Sequence, residues 1–341
     1  MTTFPTTMTA IAWFAVCMAA AWAATRMLIP LLQRWGRVDR PNERSSHVAP
    51  VLRGGGLAVV AVLIVPVAVH SWLLAGRAPL PPLLMLVAFL GLAAISWRDD
   101  RKSLPVRVRL AAQIAAIVLG FAALPASGLV FQGLLPPALD HALVAIGWIW
   151  FINLYNFMDG IDGISGVETA SIGAGLAVVA AFSVSAPALS PLGMAIAGTA
   201  CGFLIWNWTP AKLFLGDVGS IPLGFLIGFA LLVLAAGGQP VPALILPLYY
   251  VVDATSTLLL RAWRGEKVWQ AHRSHAYQVA ALATSHPWVV RRILALNAAL
   301  VVLAVIATQQ TSALALAACL IGAIALAAGL TLKFRRVAVT G

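Results

Sequence analysis

Two carboxylates among glycines, at the end of an apolar stretch, are the first sign of chemistry in this sequence. Asp159 and Asp162 belong to the run NLYNFMDGIDG, in which Asn156 precedes them. Residues three apart share one face of a helix, so both carboxylates can point into one site. Charges at the end of a membrane-embedded helix are costly and usually face a cavity, a cation or a partner charge. The alternative is that both aspartates only cap the next helix.

A second candidate is a single carboxylate between glycines, in the run FLGDVGS. Asp217 follows Gly216 and lies just before an apolar stretch, with Asn207 and Lys212 upstream. Glycines let backbone amides approach phosphate oxygens, and a carboxylate beside them can hold a hard cation that bridges those oxygens. The run therefore indicates phosphate and cation binding, although Gly-Asp is also an ordinary turn sequence.

The third candidate is a pair of adjacent carboxylates in an otherwise basic loop. Asp99 and Asp100 are followed by Arg101, and further on by Arg107 and Arg109. Such carboxylates could ligate Mg²⁺ or act as a base, and the arginines suit an anionic substrate. Without other segments on the same face, the favoured interpretation is an ordinary cytoplasmic loop whose charges neutralise one another.

A histidine loop is the fourth candidate. His272, Arg273 and His275 fit diphosphate binding better than zinc binding, because neighbouring positive charge opposes a cation. Asp253, in the apolar stretch before this loop, either faces the same cavity or turns toward Arg261. Three further histidines stand alone in the sequence and are expected to be structural or exposed: His70, His141 and His286.

The first basic loop is the fifth candidate. Arg44, His47 and Arg53 precede the glycines Gly54 and Gly55, a combination that suits phosphate binding. A basic loop lying on anionic lipid is the competing interpretation.

The composition says which elements must position these residues. Of the 341 residues 61% are hydrophobic and 10% charged, and the mean hydropathy is +0.95. Soluble proteins carry roughly 25% charge, so soluble enzymes and nucleic-acid-binding folds are excluded and no nucleic acid is expected as a partner. The net charge of +11 is typical of cytoplasmic loops of a membrane protein. The three cysteines lie in apolar runs, as small packing residues do.

About eleven membrane-spanning helices are expected, in a single all-α domain covering residues 1–341. We expect spans near residues 8–32, 57–74, 80–96, 110–124, 142–157, 167–186, 189–206, 221–236, 241–260, 293–307 and 312–332. The basic residues place the N-terminus in the periplasm and the C-terminus in the cytoplasm. Of the eleven acidic residues only Asp140 then lies outside, and all five candidate segments share the cytoplasmic face. Together they indicate phosphoryl transfer at the inner leaflet.

These five segments, in this order, resemble the polyprenyl-phosphate N-acetylhexosamine-1-phosphate transferase family. The resemblance rests on DRPNERSSH with RGGG, on the Asp99-Asp100 pair, and on NLYNFMDGIDG, FLGDVGS and HRSHAYQ. It implies that the phosphate of undecaprenyl phosphate attacks the β-phosphorus of a UDP-N-acetylaminosugar, which yields UMP and a lipid-linked sugar. It also implies a bacterial inner-membrane enzyme whose partners are these two substrates and the bilayer; a homodimer stays open.

The resemblance further implies roles for single residues. Asp217 would ligate Mg²⁺, or Mn²⁺ in its place, with Asp99 as a second ligand. Asp99 and Asp100 would act near the lipid phosphate, Asp162 and Asn207 near the uridine, and His272 and His275 on the diphosphate, while the role of Asp159 is less defined. The expected substrate-binding residues are Arg44, His47, Arg53, Asn156, Asn207, Lys212 and Arg273.

The branch of the family is indicated by the histidine loop. Ala276 and Tyr277 stand where the peptidoglycan branch has more histidines, and HRSHAYQ is more similar to the O-antigen-initiating branch. This favours a small N-acetylated sugar over the muramoyl pentapeptide, which remains the alternative within the family. The alternative from another class is a transporter of anionic solutes, which should carry its charge near the midplane of the membrane.

Overall fold

The computed structural model describes residues 3–39, 50–75, 80–124, 129–183, 187–268 and 272–340. Helices account for nearly all of the regular structure there, which confirms the all-α prediction. The helices are α1 (Thr3–Arg34), α2 (Gly56–Ala75), α3 (Leu80–Arg101), α4 (Val106–Phe121), α5 (Pro137–Phe157), α6 (Ile164–Phe182), α7 (Leu189–Asn207), α8 (Asp217–Ala236), α9 (Pro240–Ile245), α10 (Leu248–Trp263), α11 (Ala276–Ala283), α12 (His286–Thr308) and α13 (Ala313–Thr340).

Nine of these helices are long and apolar enough to cross a membrane, counted over the described residues. The chain is therefore a polytopic membrane protein. The fourth predicted span is occupied by α4, which has only 16 residues. The ninth is divided into α9 and α10 at Pro247, because proline has no N–H to donate and its ring obstructs the preceding turn. The count of eleven and the orientation remain predictions.

The most enclosed helix is α8. Of its most apolar 18-residue window, 89% is buried, against 11% for α13. Small residues allow the neighbouring helices to pack with their backbones in contact. Gly198 and Gly202 on α7 lie against the backbone of α1 at Phe14 and Met18. Helix α8, of which Asp217 is the first residue, is thus enclosed by the other helices.

A small sheet joins the first basic loop to the segment before α8. Strand β1 (Val38–Asp39) pairs antiparallel with β2 (Val51–Arg53), and β2 pairs parallel with β3 (Leu213–Phe214). The register places Arg53 beside Phe214. Gly56 lies against the backbone of Gly219, where a Cβ atom would collide with it. The sheet thereby fixes Arg53 next to the start of α8.

Candidate active site

Asp217 is the first residue of α8, and its position depends on the glycine before it. Gly216 has a φ of 76°, which favours glycine, and a Cβ atom there would lie 2.9 Å from Oδ2 of Asp100. Oδ1 of Asp217 accepts hydrogen bonds from Nη2 of Arg53 at 2.9 Å and Nδ2 of Asn156 at 3.1 Å. Nδ2 of Asn156 also donates to Oγ of Ser220 at 2.8 Å. Two distant parts of the chain, β2 and α5, thus hold this carboxylate.

Asp100 binds the backbone at the same end of α8. Its Oδ1 accepts the backbone N–H of Asp217 at 3.2 Å, and its Oδ2 accepts that of Val218 at 2.9 Å. The first N–H groups of a helix lack partners within the helix and favour a negative charge, so Asp100 caps α8. Nη2 of Arg53 lies 2.8 Å from its Oδ1. Although burial alone would lower the pKa of Arg53, Asp100 and Asp217 raise it above its ordinary value.

Asp99 differs from its neighbour in its contacts. Its Oδ1 accepts the backbone N–H of Leu104 at 2.6 Å, and its Oδ2 accepts Nη1 of Arg109 at 3.3 Å. The carboxylate is 8% exposed, whereas the side chain of Arg109 is 42% exposed. Asp99 therefore holds a half-exposed guanidinium in place, a role that the sequence did not assign to Arg109.

A cleft of about 150 Å³ brings these groups together. Its polar lining comes from four helices and consists of Ser96, Asp99, Arg109, Gln113, Asn153, Asn156 and Asp217. Gln113 and Asn153 form a reciprocal amide pair, with Nδ2 of Asn153 donating to Oε1 of Gln113 at 2.8 Å. The wall continues along α3 to Leu92, about 10 Å from Asp99 at 1.5 Å per residue. The cleft thus joins a charged end to an apolar helix face.

Asp159 belongs to the same electrostatic neighbourhood. Oγ of Ser165 donates to its Oδ1 at 2.7 Å. Burial raises the pKa of Asp159 to about 6; Arg53 lowers it, and Asp217 and Asp100 raise it. The second, third and fifth candidate segments, through Asp217, Asp100 and Arg53, therefore act electrostatically on the loop that carries Asp159.

Tyr277 joins the histidine loop to the end of α5, just before the loop that carries Asp159. Its hydroxyl donates to the carbonyl oxygen of Phe157 at 3.0 Å. His275 is buried at the start of α11, and the ring of His272 lies 4.8 Å from it. Burial, together with His275 and Arg261, lowers the pKa of His272 to about 4, which makes it neutral at neutral pH. Arg273 is exposed.

A second group of predicted residues secures the loop from its other side. Asp162 accepts the backbone N–H of Ala211 at 3.1 Å and lies 3.3 Å from Nδ1 of His286. Burial would raise the pKa of Asp162, but the hydrogen bond and charge of His286 outweigh it and lower the pKa. Asn207 accepts the N–H of Gly163 at 3.0 Å and donates to the carbonyl of Leu213 at 2.9 Å.

The structure therefore sorts the predicted residues into groups. Arg53, Asp99, Asp100, Asn156 and Asp217 surround or support one cleft. Lys212 is apart from it, with Nζ 5.2 Å from the ring centre of Trp206. Arg44 and His47 lie outside the described residues. His286 was expected to be structural or exposed, and nothing near it in the sequence indicates its pairing with Asp162. The signal for Gln113 and Asn153 was available, since amides are unusual inside apolar helices.

The opposite pKa shifts of Asp159 and Asp162 predict opposite effects on stability. The pKa of Asp159 is raised in the folded state, so ionisation destabilises the fold progressively between about pH 4 and 6. Asp159→Asn should therefore raise the melting temperature at pH 7.5 more than at pH 4.5. The pKa of Asp162 is lowered, so its ionised form contributes stability above about pH 4, and Asp162→Asn should lower the melting temperature at pH 7.5. Equal shifts for both variants would contradict the assignment.

The donors in the cleft suit one kind of metal site. Mg²⁺ usually takes one or two carboxylates from the protein and completes its shell with water and substrate phosphates. Within the described residues no three His, Cys, Asp or Glu side chains form a cage for a metal ion. Asp217 and Asp99 line one cleft, and Oδ2 of Asp217 receives no hydrogen bond from the described residues. This arrangement fits a cation shared between the protein and a phosphate.

Comparison with known proteins agrees with the geometry. The family model described as Glycosyl transferase family 4 matches residues 82–235. A "Probable undecaprenyl-phosphate N-acetylglucosaminyl 1-phosphate transferase" of Bacillus subtilis is 24% identical over 270 residues, 74% of this chain and 72% of that protein.

Several other relatives carry the name phospho-N-acetylmuramoyl-pentapeptide-transferase. The protein of Synechococcus sp. is 32% identical over 60% of this chain and 64% of its own length. That of Symbiobacterium thermophilum is 31% identical over 61% of this chain and 68% of its own length. The chain thus spans about two thirds of these relatives. It belongs to glycosyl transferase family 4, the polyprenyl-phosphate hexosamine-1-phosphate transferases that its five motifs resemble.

Proposed function

We propose that this protein transfers an N-acetylaminosugar 1-phosphate from a UDP-sugar to undecaprenyl phosphate. The observation that carries the proposal is the cleft in which Asp99, Asp217, Arg109 and Asn156 meet, next to Arg53. Two half-exposed arginines at carboxylates suit phosphate groups, and the apolar wall along α3 suits a substrate that enters from the membrane. A transporter of anions would instead need charge near the midplane.

The proposed reaction exchanges one phosphoanhydride bond for another. An oxygen of the lipid phosphate attacks the β-phosphorus of the UDP-sugar, and the bond from this phosphorus to the oxygen bridging the two phosphates breaks. UMP leaves with that oxygen, and the sugar remains on a lipid diphosphate. Catalysis of such a transfer is mostly positioning and neutralisation of charge on the phosphate oxygens. Arg53 and Arg109, each held by a carboxylate, would neutralise the phosphate oxygens.

Asp217 and Asp99 are the residues that would hold Mg²⁺. The cation would supply positive charge to the departing UMP. Asn156 positions the Asp217 carboxylate by binding its Oδ1, and Asp100 fixes the backbone beneath it. These contacts leave Oδ2 of Asp217 as the oxygen without a partner among the described residues.

The acceptor needs no strong base. A phosphate monoester has its second pKa near 6, so it is largely a dianion at neutral pH. Both oxygens of Asp99 accept hydrogen bonds, one from a backbone N–H and one from Arg109. We therefore assign Asp99 to holding the metal and Arg109, and we favour direct transfer over an aspartyl-phosphate intermediate, for which one of these oxygens would have to attack phosphorus.

The donor is proposed to be a small N-acetylated sugar, and the product the start of a surface glycan such as O antigen. In support, Tyr277 replaces a histidine of the peptidoglycan branch and is buried as the contact between the histidine loop and α5. The Bacillus subtilis relative is named for N-acetylglucosaminyl 1-phosphate transfer. We propose that the site faces the cytoplasm at the bacterial inner membrane.

The deciding experiment measures UMP release by the purified protein in detergent with Mg²⁺. Undecaprenyl phosphate is combined in turn with several UDP-N-acetylaminosugars and with UDP-N-acetylmuramoyl pentapeptide. We expect UMP only when both the lipid phosphate and a UDP-N-acetylaminosugar are present. If UMP were released with UDP-N-acetylmuramoyl pentapeptide and with none of the other donors, the protein would belong to the peptidoglycan branch. No release from any donor, while a control enzyme of the family is active, would overturn the proposed transferase reaction.

A further inference from the structure

We propose that Asp253 is a positioning residue that holds His275 with the proton on Nδ1, leaving Nε2 as the nitrogen available to the donor diphosphate. This inference rests on the proposed function, because it gives His275 a role only in that reaction. The sequence left open whether Asp253 faces a cavity or the arginines. It does neither, because its side chain is completely buried on α10 and its carboxylate is bound to the start of α11.

Four hydrogen bonds fix the Asp253 carboxylate. Oδ1 accepts the backbone N–H of Ala276 at 2.9 Å and Oγ1 of Thr257 at 3.2 Å. Oδ2 accepts the backbone N–H of Tyr277 at 3.0 Å and the hydroxyl of Tyr249 at 3.0 Å. The residues whose N–H groups are held are those that directly follow His275. The carboxylate thus fixes the position of His275, at which the loop ends and α11 begins.

Among the described residues, the ion pair formed by this carboxylate is with His275. Nδ1 of His275 lies 3.7 Å from Oδ1 of Asp253, and the imidazole is 2% exposed. Within the described part of the chain, Nδ1 has no hydrogen-bond partner. A buried carboxylate is costly unless donors surround it. An N–H at Nδ1 directs a positive dipole at Oδ1, whereas a lone pair there would repel it, so the pair selects the Nδ1–H tautomer.

The plane of the imidazole is fixed by its neighbours. Its ring lies 4.8 Å from that of His272 and 5.8 Å from that of Tyr277, to which it is inclined by 24°. Helix α13 supports the same network, because Nη2 of Arg335 donates to Oγ1 of Thr257 at 2.7 Å. A hydroxyl that accepts from Arg335 directs its own proton to Asp253. Orientation of a functional histidine through a carboxylate is also how proteins set the tautomer of metal-binding histidines.

The test compares Asp253→Asn with Asp140→Asn in the full-length protein. Asp140 is the matched control, because it is 1% exposed and accepts the backbone N–H groups of Val130 and Phe131, far from the histidine loop in the sequence. Nitrogen NMR of ¹⁵N-labelled histidine, assigned with His275→Gln, reports the tautomer without any substrate. We expect protonated Nδ1 in the wild type and in Asp140→Asn, and loss of this state in Asp253→Asn. In the UMP assay we expect kcat to fall about 30-fold in Asp253→Asn only, with KM changing less than about threefold.

A wild-type spectrum with the proton on Nε2, or one that Asp253→Asn leaves unchanged, would overturn the inference. Absence of UMP release by the wild type would refute the proposed function instead, and the NMR result would still decide the tautomer. If Asp253→Asn does not fold, Thr257→Val removes one donor to the same carboxylate. It should shift the His275 resonances and lower kcat about threefold. An unchanged spectrum and unchanged kcat for this variant would also overturn the inference.

Discussion

Asp217→Asn is expected to reduce UMP release by at least about 1,000-fold, which corresponds to about 4 kcal/mol of transition-state stabilisation. An amide is a far weaker ligand for Mg²⁺ than a carboxylate, so the variant would lose the cation at the diphosphate. It would also lose the ionic contact with Arg53, now 2.9 Å long. The measurement is the initial rate of UMP release at several Mg²⁺ concentrations, with the melting temperature as the check on folding.

Ser220→Ala is the matched control for this variant. It removes the hydrogen bond from Asn156 to Ser220 and leaves that from Asn156 to Asp217 in place. We expect a loss of less than about fivefold, since one neutral hydrogen bond contributes about 1 kcal/mol. If Asp217→Asn retained more than a tenth of the wild-type rate, or recovered at high Mg²⁺, Asp217 would not be the principal metal ligand.

The second large effect is expected at Asp99. Asp99→Asn should lower kcat about 100-fold, because the amide cannot hold both Arg109 and the cation, and the loss should be the same at pH 7 and pH 9. The acceptor phosphate is already ionised at both values, so a higher pH supplies nothing that the variant lacks. Recovery of the rate at pH 9 would identify Asp99 as a general base instead.

Asp100→Asn tests whether Asp100 supports the start of α8 rather than taking part in the reaction. Its carboxylate accepts two backbone N–H groups at the start of α8, and an amide nitrogen placed there would oppose at least one of them. We expect a lower melting temperature together with lower activity, because a lost cap costs roughly 1 kcal/mol and the position of Asp217 depends on it. Asp99→Asn should leave the melting temperature nearly unchanged. Equal stability losses in both variants would show that the two aspartates do not differ in this way.

The general architecture could be predicted because it depends on local properties of the chain. Runs of about 20 apolar residues become helices in lipid wherever they occur, and the charged residues between them fall at the helix ends. The grouping of Asp99, Asn156 and Asp217 follows from the same reasoning. The division of the ninth span at Pro247 was also available from the sequence, since a proline within an apolar run interrupts the helix.

The supporting contacts could not be predicted, because they join distant parts of the chain. His286 and Asp162 are 124 residues apart, and no residue next to either of them in the sequence indicates that they are paired. The strands have two or three residues each, too few to carry an alternating pattern. The capping of α11 by Asp253 depends on how the chain between α10 and α11 folds back onto α10. The hydrophobic pattern of the sequence carries no information about this contact.

The pairing of β2 with β3 also sets the earliest point in synthesis at which Arg53 and Asp217 can come together. Arg53 and Asp217 are separated by 164 positions, so at about 5 to 20 residues per second the ribosome needs roughly ten to thirty seconds to produce the second after the first. Throughout that interval the nascent chain holds the strand that carries Arg53 without the strand that receives it. Turnover must therefore await the insertion of α8, and a ribosome that stalls before it leaves an inert membrane fragment.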